Sequence, residues 1–374
     1  MDSMRKIGIV VLFCNNSISS KLEYYNNQEI GLARALSREG FEVTIFYPSK
    51  NVKTPIEKAV DDVIKVVFVP CNTIGVHSKF DWNIIKKYNI YYVRLAGDNQ
   101  LFAPECIKYC EKNRIKVCNY IGTINSDSKN AFKKILLGLM FRRNIKFYKK
   151  HKCFAKNIEV QNDLKNRGIL DVELAPVGLD ITDIRRYSKD SNIQEELKIP
   201  RNKTCVLYVG AMKSYKRPLE ALEFLKINRN CVFMIMIGTG PLNEKVDDFI
   251  NKNNLEDCIK RIEKVSNNEI HKYYGLCDYF LNFNRNEIIG MSILEAMYQG
   301  KTVIAFKAPG PNMIIDNEKT GFLVNNIEEM TKIINSKLIL NSYDIIKNVE
   351  TNYSWNETAA KIINWIMEEE KNEH

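Results

Sequence analysis

The chain has 374 residues, 45% hydrophobic and 27% charged, with a formal net charge of +10. That length exceeds one ordinary core and fits two domains, and the composition is that of a soluble globular chain. No apolar run is long enough to cross a bilayer, and the basic excess favours anionic partners without choosing among nucleotide phosphates, phospholipid head groups and nucleic acid.

The opening "MDSMRKIGIVVLFCNN" combines a basic pair with an apolar run. The run is short and no small-residue cleavage site follows, so "KIGIVVLF" reads as a first buried strand rather than a signal peptide. A polar loop leads to "NQEIGLARALSREG", whose apolar residues have helical spacing and whose Gly40 is a stop signal. "FEVTIFYP", closed by Pro48, then "VIKVVFVP", "IYYVRLAG" and "KVCNYIG" continue as strands, with helical "APECIKYCEKN" before the last. The segment 129–152 mixes Ile135, Leu136, Leu137, Leu139, Met140 and Phe141 with many Lys and Arg. It reads either as an interfacial helix on an anionic membrane surface or as a helix packed on the domain with its basic side in water.

After "VELAPV" the rhythm breaks, and 178–203 reads as a hinge. Alternation then restarts: "CVLYVG", helix "RPLEALEFLKIN", "CVFMIMIG", helix "NEKVDDFINKN", "IKRIEKV", helix "NNEIHKYYGL", "YFLNF", helix "SILEAMYQG" and "TVIAFK". The chain closes with one amphipathic helix, "SWNETAAKIINWIMEEEKN". Strands separated by helices imply parallel sheets covered on both faces. The expected fold is α/β with two Rossmann-like domains, 1–180 and 181–353, and the helix 354–374 packing back on the first. The ten cysteines are scattered through strand-like and helix-like segments with no CxxC pair, which reads as buried free thiols in a reducing cytoplasm.

In open parallel sheets ligands sit at the carboxyl ends of strands. After "CVLYVG" come Lys213, Lys216 and Arg217, within reach of a phosphate, and "FMIMIG" ends in Gly238 and is followed by "TGP" with Gly240, glycines that permit close backbone approach. After "YFLNF", Glu287 precedes Gly290, Met291 and Ser292 at a helix entrance, and Glu295 lies about a turn inside. On spacing alone two readings stay open. The two acids bind hydroxyls on either side of a diphosphate held by the helix N–H groups, or they are a solvated loop acid and an acid favoured by the helix dipole.

The stretch "EIIGMSILEAM" resembles the signature of retaining nucleotide-sugar glycosyltransferases with the GT-B fold, in which Ile289 stands for Phe and Met291 for Leu. The likeness continues through "GTGP", "KTVIAFKAPGP" and "NEKTGFLV", and the first half matches in layout through "QEIGLARALSREGFEVTIF" and "VGLD". The resemblance implies two parallel-sheet domains facing across a cleft, the first binding acceptor and the second the donor. It implies transfer of a sugar, from UDP by default, to a hydroxyl of a sugar, glycolipid or polysaccharide, with retention of configuration. Glu287 would hold donor-sugar hydroxyls, Glu295 the ribose, Gly210, Gly290, Met291 and Ser292 the phosphates and sugar, and Lys216 the departing diphosphate. The arginine of the family's motif is Ala211 here, with Lys213 or Arg217 as substitutes, and a third family Glu aligns with Met313.

No DxD-like pair follows a strand, so neither metal nor cofactor is expected. On the acceptor side, Tyr25, Asn26 and Asn27 are either sugar contacts or an ordinary polar loop. Arg94 and Asp98 follow a strand, and Tyr120 or Thr123 stands where some relatives have a His near the reacting sugar. A cytoplasmic enzyme, peripheral at the inner membrane face if the 129–152 helix is interfacial, is the leading reading; no nucleic-acid motif is present. The alternatives are a non-catalytic sugar-nucleotide-binding subunit, or an epimerase or phosphorylase on the same fold.

Overall fold

The structure, a computed structural model, describes residues 5–14, 28–122, 124, 131–182, 184–188, 190–266 and 269–372. It divides into two compact units, Met1–Asp180 with Trp355–His374, and Ile181–Ser354.

Among the described residues the first unit is built on an eight-stranded sheet. Its spatial order is Val172–Leu174, Cys153–Ala155, Lys116–Ile121, Tyr92–Ala96, Arg5–Val10, Phe41–Ser49, Ile64–Pro70 and Ile56–Ala59. All neighbours are parallel except the last pair, where Ile56–Ala59 runs antiparallel on the edge. The buried strands read as continuous apolar runs because helices cover both faces. The helices Ala103–Lys112 and Ala131–Tyr148 contribute Cys106, Ile107, Cys110, Phe141, Ile145 and Tyr148 to one core. Gln28–Arg38 packs with the terminal helix Trp355–Lys371, which buries Trp355, Ile362, Trp365 and Ile366. A Cβ on Gly31 would overlap the Trp355 indole, so the glycine lets the two helices approach. The same helix is pinned to the unit by Lys361 Nζ on the Leu174 carbonyl at 2.6 Å and Thr358 Oγ1 on that of Pro176 at 2.7 Å.

Three features depart from the sequence expectation. Phe41–Ser49 runs through Pro48 instead of stopping there, because pairing with Arg5–Val10 already ends at Phe46. The short strand Cys153–Ala155 and the hairpin Asn72–Ile74/His77–Lys79 carry too few residues to show alternation. The edge strand Ile56–Ala59 is exposed throughout and so has no apolar signature.

The second unit's sheet, in the order Ile259–Ile262, Val232–Ile237, Thr204–Val209, Tyr279–Asn282, Thr302–Phe306 and Phe322–Val324, is wholly parallel. Thr204–Val209 comes first in the chain and lies in the middle; later strands add outward on one side, then on the other. The ten cysteines are free thiols. Among the described residues no helix is long and apolar enough to cross a membrane.

Candidate active site

The strand order of the second unit creates a switch point between Thr204–Val209 and Tyr279–Asn282, where connections leave in opposite directions and open a crevice at the carboxyl ends. The segments that follow these two strands carry Lys216 and Glu287. Lys216 ends a 3-10 turn, Ser214–Lys216, and its Nζ lies 2.6 Å from Glu287 Oε2. The two side chains are 22% and 14% exposed, so the pair is sheltered yet reachable. Asn284 Nδ2 donates to the same carboxylate oxygen at 2.9 Å, while Asn284 Oδ1 accepts the Asn286 N–H at 3.0 Å. Asn284 is itself buried, so its amide is fixed and Glu287 is held from two directions.

The loop is fixed from a third side by Gly310, whose N–H donates to the Glu287 carbonyl at 2.7 Å. A side chain on Gly310 would press on the Ile288 and Ile289 backbone, which explains the glycine in "APGP". Gly290 takes a left-handed conformation, φ +86°, and caps the helix Met291–Tyr298. Its carbonyl accepts the Ile293 and Leu294 N–H groups, and the N–H groups of Met291 and Ser292, in the first turn, have no acceptor inside the helix. Glu295 lies on that helix and its Oε2 accepts the Tyr274 hydroxyl at 2.8 Å. Burial, then the Glu295 charge, pushes the Tyr274 phenol well above its ordinary range, so it remains a donor.

Gly238 and Gly240 do allow close approach, but to neighbouring protein backbone. A Cβ on Gly238 would overlap the Gly210 carbonyl, and one on Gly240 would meet the Met212 backbone. Gly210 N–H bonds the Ile237 carbonyl and Met212 N–H that of Thr239, so the turns following the two strands are laced together. Of the two residues offered in place of the missing arginine, Arg217 is engaged: its Nη1 pairs with Glu220 at 2.8 Å. Arg285 holds Glu220 from the other side at 2.9 Å and stacks on Phe306. Lys213 is exposed and makes no ion pair among the described residues. Ala211 precedes it in the same turn. Met313 lies in the helix Pro309–Ile314, and its carbonyl accepts the Tyr353 hydroxyl.

In the first unit, Tyr25, Asn26, Asn27 and Thr123 lie outside the described residues. Arg94 corrects the expectation that it stands beyond a strand. It is the third residue of Tyr92–Ala96 and fully buried, its guanidinium 4.1 Å from the centre of the Tyr120 ring. Asp98 does follow that strand; its Oδ1 accepts the Gly122 N–H at 2.5 Å. The basic helix Ala131–Tyr148 is divided. Phe141, Asn144, Ile145 and Tyr148 are buried, whereas Ile135, Leu136 and Leu139 are more than half exposed. His77 Nδ1 meets Gln100 Oε1 at 2.9 Å in the small hairpin.

Sequence reasoning missed the residues that hold the two acids. Asn284 sits in "NFNRNE", an asparagine-rich stretch that could have signalled a self-bonded loop, since Asn side chains bond local backbone. Tyr274 had no local signal. Among the described residues no group of three or more His, Cys, Asp and Glu is placed to hold a metal ion.

Residues 189–348 match the family model for glycosyl transferases group 1. The chain is 27% identical over 177 residues to an alpha-monoglucosyldiacylglycerol synthase of Acholeplasma laidlawii, covering 45% of this chain and 44% of the synthase, so the match spans less than half of that relative. It is 26% identical over 263 residues to an uncharacterized glycosyltransferase of Methanocaldococcus jannaschii, covering 68% of each chain. Among solved structures, sucrose-phosphate synthase from Thermosynechococcus elongatus superposes with a TM-score of 0.74 at 13% identity, covering 97% of this chain and 98% of that one. Anabaena HepE in complex with UDP-glucose superposes with a TM-score of 0.68 at 16% identity, covering 96% and 99%. These likenesses identify the architecture as GT-B.

Proposed function

We propose, for a chain whose residues 189–348 match the family model for group 1 glycosyl transferases, that it moves a sugar from a nucleoside diphosphate, UDP favoured, to an acceptor hydroxyl with retention of configuration. The observation that carries the reading is the Lys216–Glu287 pair at the switch point, beside the Gly290 helix entrance. UDP is favoured because HepE is bound to UDP-glucose, and retention follows from the sequence resemblance.

The chemistry follows from charge. As the glycosidic C–O bond breaks, negative charge develops on the diphosphate and positive charge on the sugar ring. Lys216 and the first-turn N–H groups of the helix Met291–Tyr298 supply fixed donors for that anion, which is where electrostatic stabilisation contributes most. A lysine already bonded to a carboxylate is oriented before the diphosphate arrives, and the anion competes with Glu287 for it. Once shared, Glu287 offers its oxygens to sugar hydroxyls, and in this reading Glu295, oriented by the Tyr274 hydroxyl, takes the ribose. With fixed cations at the leaving group, the transfer needs neither metal nor cofactor; chelation with EDTA is expected to leave the rate unchanged.

The acceptor is a sugar, glycolipid or polysaccharide hydroxyl. Support for a lipid acceptor comes from the A. laidlawii relative's name and from Ile135, Leu136 and Leu139 exposed on a helix that also exposes Arg142, Arg143 and Lys146. That pairing of apolar and basic side chains suits an anionic membrane surface, and sedimentation with anionic vesicles at low salt tests it.

The central test measures transfer from UDP-sugars by the wild type and by Lys216→Ala and Glu287→Gln. Each variant is expected to lose about two to three orders of magnitude in kcat while its melting temperature stays close to wild type. Unchanged transfer in both removes the proposed site. Absence of transfer by the wild type with every donor, together with thermal stabilisation by UDP, would instead mark a binding subunit.

A further inference from the structure

We infer that the carboxyl edge of the first unit's sheet holds an anion-binding site, in which Arg94 and Lys156 take a carboxylate or phosphate group beside Tyr120. The inference rests on the glycosyl-transfer reading only in assigning that anion to the acceptor.

Arg94 is fully buried, and among the described residues none of its three guanidinium nitrogens has a hydrogen-bond partner. Among the described residues no carboxylate lies within ion-pair distance of it. Arginine does not deprotonate in proteins, so burial cannot be relieved by neutralising it. A buried cation without a partner is strongly unfavourable unless a second group meets its donors. The Tyr120 ring beneath the guanidinium accepts part of its charge but none of its N–H groups in the plane, and among the described residues the buried Tyr120 hydroxyl meets no hydrogen-bond partner at bonding geometry. The planar donors match a carboxylate or phosphate in paired fashion.

Lys156 brings a second cation to the same ring, its Nζ 5.1 Å from the centroid. It is 3.6 Å from Asp98 Oδ2, beyond hydrogen-bond length, and Asp98 spends its other oxygen on the Gly122 N–H. The side chain of Lys156 keeps 9% exposure and that of Asp98 29%, so the cluster meets the surface at this pair, Lys156 being its more exposed cation. Gly122 has no room for a side chain because the Lys156 stem lies across it. The location agrees with the topology. In this sheet Arg5–Val10 lies between Phe41–Ser49 and Tyr92–Ala96, so the switch point falls beside the strand that carries Arg94. Ligands of parallel sheets gather at that place.

The test uses the full chain carrying Lys216→Ala, so that phosphate is not read at the donor site, and titrates inorganic phosphate by calorimetry. Saturable binding is expected, weakened at least about tenfold by Lys156→Gln and by Arg94→Gln. Should Arg94→Gln fail to fold, Lys156→Gln, which alters the part of the cluster nearest the surface, carries the test. No binding by the parent, or equal binding by folded Lys156→Gln, overturns the site and leaves Arg94 a structural cation only. Phosphatidylcholine vesicles with and without phosphatidylglycerol separate the sources. A lipid headgroup gives phosphatidylglycerol binding that depends on Lys156 and is displaced by phosphate; a free small anion gives phosphate binding alone. Transfer from a UDP-sugar by the wild type, measured in parallel, keeps the two readings apart: transfer without a phosphate site removes this inference and spares the other, and the converse holds.

Discussion

Glu287 receives two donors on one oxygen, from Lys216 and from Asn284, and under the proposed function Asn284 is a positioning residue. Asn284→Ala is expected to lower kcat about tenfold with little change in donor KM, because the acid loses orientation while the phosphate contacts remain. Asn284→Asp sets a second carboxylate against the first and is expected to lose more; equal losses in the two variants would reduce Asn284 to a loop-shaping role. His271 offers a separate test of burial. Desolvation lowers its pKa from 6.5 to about 4, so it is neutral in the folded unit. Below pH 6.5 the unfolded chain takes up a proton that the folded one refuses, so stability is complete above that pH and falls as the pH drops toward 4, by up to about 3 kcal/mol. His271→Gln is expected to flatten that part of the stability profile, followed by denaturant melts between pH 7 and 4.

At the scale of elements, the glycines sort by what they meet. Gly290 is required by a left-handed cap, and Gly238 by the carbonyl of Gly210 in the adjoining turn. Gly238→Ala is expected to cost on the order of 3 kcal/mol, since a backbone carbonyl cannot move aside as a side chain would. A change in melting temperature within about 2 °C would show that the turns are not as tightly laced as their hydrogen bonds indicate. Gly31 lies against the Trp355 indole, where two helices far apart in the chain pack together. Gly31→Ala is expected to destabilise the first unit by about 1–3 kcal/mol through overpacking, despite alanine's better helix propensity. Calorimetry on the variant decides which effect wins.

For the whole molecule, the terminal helix Trp355–Lys371 is part of the first unit although the second unit intervenes in sequence. Deleting 355–374 is expected to lower or abolish the thermal transition of the first unit, because it uncovers the apolar face of Gln28–Arg38 and removes the Lys361 and Thr358 contacts. Helical periodicity and buried apolar runs made the α/β alternation legible, and the ordered signature around Glu287 and Glu295 lies in the half that matches the glycosyl transferases group 1 model. These signals are local: side-chain spacing along a helix or strand is written in consecutive residues. What the sequence left open is non-local. The Arg94 burial over Tyr120, the grip of Tyr274 on Glu295 and the meeting of Lys216 with Glu287 each join residues from different strands or helices. The sequence by itself determined the longer strands and helices and which acids and lysines stand at their ends, while the short and exposed strands left no pattern in it. Only the tertiary structure decided which of those charges touch, because strand order brings distant chain segments together and no spacing along the chain encodes that order.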